Sequence, residues 1–92
     1  MPLPPNSRIV VHAKSGEPPC PYCEKAMEWL TAQSIPFTVV DHNEAAERQA
    51  FYDSLGLKGP DRTVPQIIII DDETGKRYRI GGHDALLVSG LA

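Results

Sequence analysis

Apolar residues in this chain occur in two kinds of pattern. Two are short unbroken runs, Ile9-Val10-Val11 inside Arg8 to Ala13 and the four isoleucines inside Gln66 to Ile70. Continuous runs of this length suit strands covered on both faces, and the isoleucine run reads as central in its sheet. Between them the period changes. Cys23, Ala26, Met27 and Leu30 fall at the i, i+3, i+4, i+7 spacing of one helical face, while Glu24, Lys25 and Glu28 take the wet side. Pro21 suits the first turn of that helix, where an amide hydrogen is not required, and Ile35-Pro36 closes it.

Phe37 to Val40 reads as a second strand. Glu44 to Leu55 reads as a second helix with a thinner stripe of Phe51, Tyr52 and Leu55, stopped by Gly56. Asp41 and Glu44 have capping-box spacing, with aspartate as the cap. Lys14 to Pro19 and Leu57 to Arg62 are expected to be loops. Asp71 to Gly75 offers turn chemistry and Lys76 to Ile80 alternates in part, which predicts an antiparallel hairpin with a loop longer than two residues. Gly81-Gly82 breaks that strand, and Asp84 is expected to cap a short last helix ending near Ser89. Residues 1–7, with three prolines, read as a flexible arm ahead of one domain at 8–92. The resulting order is βαβαββα, an α/β sandwich in which a parallel βαβ unit and a hairpin share one mixed sheet flanked by helices.

Composition narrows the partners. Ninety-two residues support one core. A charged fraction of 23% and a net charge of −3 give a mildly acidic surface without the basic stripe that nucleic acid requires. No apolar run approaches membrane-spanning length and the start lacks a basic, apolar leader, so a cytoplasmic protein with no membrane partner is expected.

The chain has two cysteines, in Cys20-Pro21-Tyr22-Cys23. A bridge between residues three apart closes almost no loop and is a poor structural staple. At a helix start, free amide hydrogens and the positive end of the helix dipole favour thiolate over thiol, and Cys20 occupies that place. Cys23 lies one turn in, on the apolar face, and should be buried and less ionised. Cys20 is therefore the expected attacking thiol, and Cys23 the resolving thiol that releases a mixed disulfide from within one turn. Zinc needs about four ligands. His12, His42 and His83 are scattered without paired spacing, and no metal is expected. Two further features stand near the pair: Pro65 at the start of the isoleucine strand, where it loses no ladder bond, and Gly81-Gly82-His83-Asp84.

Taken together, Cys20-Pro21-Tyr22-Cys23, Thr63-Val64-Pro65-Gln66 and Ile80-Gly81-Gly82-His83-Asp84 resemble the dithiol glutaredoxin family of the thioredoxin fold, from about Arg8 to the end. The resemblance implies a thioredoxin-like four-stranded mixed sheet and glutathione-dependent reduction of protein disulfides and protein–glutathione mixed disulfides. In that scheme glutathione restores the enzyme and an NADPH-linked reductase restores glutathione. By position, it implies Cys20 as nucleophile, Cys23 as resolving thiol and Tyr22 beside the bound tripeptide. Val64 would pair its backbone with the glutathione cysteine, with Thr63 among the glutathione-binding residues and Pro65 as the cis residue. Gly82, His83 and Asp84 would hold the γ-glutamyl end, and Lys14 and Arg48 would face the glycyl carboxylate. Protein partners implied are disulfide-containing or glutathionylated proteins, ribonucleotide reductase among them, served by a monomer.

The sequence departs from the family in places. Five residues separate Lys14 from Cys20 where the family usually has two, His12 stands where an aromatic is frequent, and Ala85 follows Asp84 where many members have a second acceptor. Weaker glutathione binding is the expected consequence. Two alternatives follow: a glutaredoxin-like redoxin reduced by thioredoxin reductase, and a dimeric module in which Cys20 from two chains holds an iron–sulfur cluster with glutathione.

Overall fold

The computed structural model describes residues 6–16 and 18–91. Its elements are β1 (Ser7–Ala13), α1 (Pro21–Ala32), β2 (Thr38–Asp41), α2 (Ala45–Ser54), β3 (Gln66–Asp71), β4 (Arg77–Gly81) and α3 (His83–Leu87), with one 3-10 turn at Gly59–Asp61 inside the expected loop. The order βαβαββα is the one the sequence predicts. The arm read at 1–7 falls outside the described residues for 1–5. Of the remainder, Ser7 opens β1 and Asn6 donates from Nδ2 to Glu73 Oε1, 2.6 Å away.

Four strands form one mixed sheet in the order β2-β1-β3-β4. β1 pairs in parallel with β2 and antiparallel with β3, and β3 pairs antiparallel with β4. This is the thioredoxin-like sheet that the resemblance implied. Side chains alternate across it. Ile9, Val11, Ala13, Ile67 and Ile69 meet Cys23, Ala26 and Leu30 of α1 and Leu86 of α3 in one fully buried cluster. The opposite face carries Val10, His12, Gln66 and Ile68, with Phe51 of α2 stacked on His12. Isoleucine runs without polar breaks in β3 because the strand is central and covered on both sides.

Helix α1 ends before the proline reaches it. Ser34 takes a left-handed conformation (φ 58°). Its N–H donates to Thr31 O at 3.0 Å, and Ile35 N–H donates to Leu30 O at 2.9 Å, which closes the last turn in a Schellman motif.

Two expected caps are corrected. Helix α2 begins at Glu44 with no side-chain cap bond, because Asp41 belongs to β2 and pairs with Ala13. For α3 the N-cap is Gly82, again without a side-chain bond, and Asp84 sits inside the first turn. The hairpin expectation holds. Asp71 Oδ1 accepts from the N–H of Glu73 (2.9 Å) and of Thr74 (3.4 Å), organising a five-residue loop between β3 and β4.

Near the start of β3 the register with β4 slips: Ile67 pairs with Gly81 but Ile68 with Arg79, leaving Ile80 as the extra residue of a bulge. That bulge delivers Gly81 and Gly82 to the start of α3. Among the described residues, no helix is long and apolar enough to cross a membrane.

Candidate functional site

Three segments far apart in sequence meet at one end of the sheet: the start of α1, the approach to β3 and the start of α3. Cys20 is the N-cap of α1, in extended conformation (φ −114°, ψ 91°), and Pro21 follows at the position where a missing N–H is harmless. Cys23 N–H points at Cys20 Sγ, 3.3 Å away. A sulfur at this place receives a free helix amide and the dipole's positive end, both of which favour thiolate.

The two cysteines are bridged, their Cα atoms 5.3 Å apart. Cys20 is partly exposed while Cys23 is 1% exposed, packed with the core. An incoming disulfide can therefore reach only the first sulfur, as the helix pattern predicts.

Opposite Cys20 lies the turn Thr63-Val64-Pro65, whose Val64–Pro65 bond is cis. Val64 O stands 3.8 Å from Cys20 Sγ. A buried side chain holds this turn. Gln66, 1% exposed, donates through Nε2 to Thr63 O (2.8 Å) and Asp61 O (3.2 Å), while its Oε1 accepts from Arg79 Nη1 at 3.1 Å. At the third segment Gly81 has φ +120°, and an added Cβ would come within 3.2 Å of Ala85 Cβ. The backbone conformation favours glycine there, and a side chain would also press on Ala85. Gly82 adopts an ordinary φ of −88° and caps α3.

Between these segments runs a groove of about 290 Å³. Tyr22 stands on the α1 side, Thr63, Val64 and Pro65 line the turn side, and Gly82, His83, Asp84 and Ala85 line the far end. Seven of the residues assigned by resemblance are thus gathered beside the cysteine pair. The His83 ring lies 5.9 Å from that of Tyr22, and its Nδ1 is 3.3 Å from Asp84 Oδ1.

Lys14 and Arg48 do not line this groove. Lys14 Nζ donates to Pro18 O within its own longer loop. Arg48 Nη1 donates to His42 O (3.0 Å) and Asn43 O (2.9 Å), closing the approach to α2 that the expected capping box would have served. Among the described residues, no group of three or more His, Cys, Asp or Glu side chains is placed to hold a metal ion.

Behind the site, on the other sheet face, sequence reasoning missed a pair. His12 Nδ1 and His42 Nε2 are 2.9 Å apart, and Phe51 stacks on both rings at 4.4 Å. His42 Nδ1 lies 3.0 Å from Glu47 Oε1, but off the line of a hydrogen bond. Burial, then the nearby His42 and Arg77, push His12 down from 6.5 to about 4. Burial also raises the Tyr52 phenol, against Arg48 and Arg62. The Gln66 role had one readable signal, a polar residue opening an otherwise apolar strand. The histidine pair had none, since thirty positions separate its members.

The family model for glutaredoxin matches residues 9–74. Glutaredoxin-1 of Rhizophagus irregularis is 34% identical over 70 residues, which cover 76% of this chain and 63% of the fungal protein. The matched stretch thus spans less than two thirds of that relative's length.

Among solved structures, glutaredoxin 1 from Francisella tularensis, complexed with cacodylate, superposes with a TM-score of 0.71 at 31% identity. The match covers 90% of this chain and 91% of that one. Buckwheat glutaredoxin in complex with glutathione gives 0.62 at 25% identity, covering 88% and 66%. Oxidised glutaredoxin 2 from Chlamydomonas reinhardtii gives 0.59 at 31%, covering 90% and 70%. With the bridged pair at the start of α1, the cis-proline turn facing it and a family match over most of its length, this chain belongs to the glutaredoxin family.

Proposed function

We propose that the protein is a glutathione-dependent thiol–disulfide oxidoreductase that reduces protein disulfides and protein–glutathione mixed disulfides. The observation that carries this reading is the exposed sulfur of the pair, Cys20, set at a helix start beside a groove that ends at Gly82, His83 and Asp84. The likeness to a glutaredoxin solved with glutathione supports the choice of reductant.

The chemistry follows from the two burials. In the reduced protein, Cys20 thiolate attacks the glutathionyl sulfur of a mixed disulfide. The substrate's sulfur leaves as thiolate and takes a proton from solvent, and Cys20 is left joined to glutathione. A second glutathione thiolate then attacks the bound glutathionyl sulfur, giving glutathione disulfide and free Cys20. For a protein disulfide, Cys20 first forms a mixed disulfide with the substrate, and Cys23 attacks Cys20 Sγ to expel the reduced substrate. This leaves the Cys20–Cys23 bridge seen here, which two glutathiones reduce again. Attack within one turn needs no diffusional encounter, so the second step is favoured by proximity.

In this scheme Tyr22, Thr63, Val64 and Pro65 flank the tripeptide and Gly82, His83 and Asp84 meet its γ-glutamyl end. Ribonucleotide reductase and glutathionylated proteins are the proposed protein substrates, and the proposed setting is the cytoplasm, whose glutathione pool is reducing.

A coupled assay with glutathione, glutathione reductase and a small glutathione mixed disulfide tests the reading. Turnover is expected, and Cys20→Ser should abolish it. Cys23→Ser should retain mixed-disulfide reduction and lose most protein-disulfide reduction. Activity surviving in Cys20→Ser would sink the mechanism.

One observation favours a second reading. Among the described residues no lysine or arginine lines the groove, and electrons from thioredoxin reductase are the alternative supply. Offering the oxidised protein each reductant separately decides between them.

A further inference from the structure

The groove has an unusual charge inventory. Of its lining residues, Thr63, Val64, Pro65, Gly82 and Ala85 carry no ionisable group. Near neutrality a phenol is uncharged and a carboxylate is charged, so Tyr22 supplies no charge and Asp84 supplies a negative one. Among the described residues, the single lining side chain able to become cationic is His83. Its side chain is 16% exposed, against 97% for Asp84, so most of the imidazole surface is taken up by neighbours and groove wall. The cations expected from the family pattern are held elsewhere, Lys14 on Pro18 O and Arg48 on the carbonyls of His42 and Asn43.

We infer that His83 makes the groove's affinity for glutathione and its conjugates pH-dependent, protonation of its ring turning a groove that repels carboxylates into one that holds them. This rests on the reading of the groove as a glutathione site. The tripeptide carries two carboxylates and one ammonium, a net charge of −1. With His83 neutral, Asp84 alone faces the γ-glutamyl end, which suits its ammonium and opposes its carboxylate. With His83 protonated, a cation stands beside Asp84 and the opposition is cancelled. Histidine is the side chain that changes charge between about pH 5 and 8.

The groups that face His83 from the elements packed on α3 are few. On α3 itself there is Asp84 Oδ1, 3.3 Å from Nδ1. From α1 come Tyr22, with Lys25 Nζ 5.2 Å from the tyrosine ring centre, and the start of the helix at Cys20, bridged to Cys23. From β4, Arg79 is engaged by Gln66 Oε1, and the charge of Arg77 reaches His12 on the opposite sheet face. The β3 side chains in the shared core, Ile67 and Ile69, are apolar. Nothing in this set supplies a second charge that switches near neutrality while the disulfide is intact.

The test uses the oxidised protein and S-methylglutathione, whose thioether cannot exchange with the bridge. Binding is followed by NMR titration at pH 5.5, 6.5 and 7.5. Affinity should rise about threefold from pH 7.5 to 5.5, most of the roughly fivefold difference between the two charge states that one solvent-facing charge pair is worth. His83→Gln should be flat across the range, and His83→Lys should be flat at the tighter value. Linkage supplies a measurement that needs no variant: fivefold tighter binding to the protonated form must raise the His83 titration midpoint by about 0.7 pH on saturation. A pH-independent wild-type affinity, an unmoved His83 midpoint, or the same pH dependence in His83→Gln would overturn the role of His83 and leave the glutathione reading standing. Absence of binding at every pH would overturn both.

Discussion

Replacing His12 by phenylalanine should flatten the acid sensitivity of folding. In the native protein His12 is held neutral by burial, by His42 at 2.9 Å and by Arg77, with its titration pushed from 6.5 down to about 4. Because the folded value lies below the unfolded one, the unfolded chain takes up the proton first as pH falls. The contribution to stability is therefore complete above about pH 6.5 and is lost between there and pH 4. A difference of 2.5 between 6.5 and about 4 corresponds at most to roughly 3.5 kcal/mol, at about 1.4 kcal/mol per pKa unit. Partial exposure and the coupling to His42 reduce this, and a loss of about 1 to 2 kcal/mol by pH 5 is expected.

His42 also limits the pair from the other side. The 2.9 Å contact needs one ring nitrogen to donate and the other to accept, and two protonated rings can only donate. Phenylalanine keeps the stack on Phe51 and removes the titration. It also leaves His42 Nε2 without its partner, so the variant starts lower at pH 7.5, and the slope is the readout. Urea unfolding followed by Trp29 fluorescence at pH 7.5, 6, 5 and 4 gives that slope. Carboxylates lose their charge in both proteins and cancel in the difference. Parallel curves for wild type and His12→Phe would refute the argument.

Three further outcomes follow from the packing. Leu30→Ala removes a side chain that is 0% exposed, against both α3 and the sheet, and should cost about 3 to 4 kcal/mol in denaturant unfolding; a loss under about 1 would mean the core is looser than described. Gln66→Leu leaves the Thr63 carbonyl and the Arg79 guanidinium without their Gln66 partner, while Asp61 O keeps the Thr63 N–H, and should cost about 2 kcal/mol while lowering turnover through the loosened Val64 turn; unchanged kinetics would separate that turn from the chemistry. Ser34→Gly relieves a left-handed non-glycine position in the Schellman turn and should raise stability by about 0.5 to 1 kcal/mol, measured as an upward shift in Tm.

What could be read from the sequence was what local chemistry decides. Pro21 and the Cys23-Ala26-Leu30 stripe define α1, and the isoleucine run defines a central strand, because these patterns act over neighbours along the chain. The misjudged places are those where a distant group took over a local role. Asp41 could have capped α2, but pairing with Ala13 drew it into β2, and Arg48 closed the helix approach instead. Asp84 could have capped α3, but the bulge at Ile80 set the helix start two residues earlier, at Gly82. Seven of the nine residues assigned to glutathione by resemblance line one groove, since each sits at the start of α1, α3 or the approach to β3, next to an end that the packed core fixes. Lys14 sits on a connection and Arg48 in the first turn of α2, and there the longer loop and the carbonyls of His42 and Asn43 decide where a long cationic side chain goes.

The sheet order has a consequence for solubility. β2 and β4 are both outer strands, and a bare strand edge is a template on which another chain can extend the sheet. The β4 edge is guarded: Arg77 and Arg79 are exposed on it and would meet like charges in a symmetric pairing, and the bulge at Ile80 bends the ladder. The β2 edge has no such guard along its middle. Val39 and Val40 are 43% and 41% exposed, and the protection comes from its length of four residues and from Asp41 at its end. In concentrated solution β2 is the side from which self-association would begin, and a lysine at position 39 is the change that would close it.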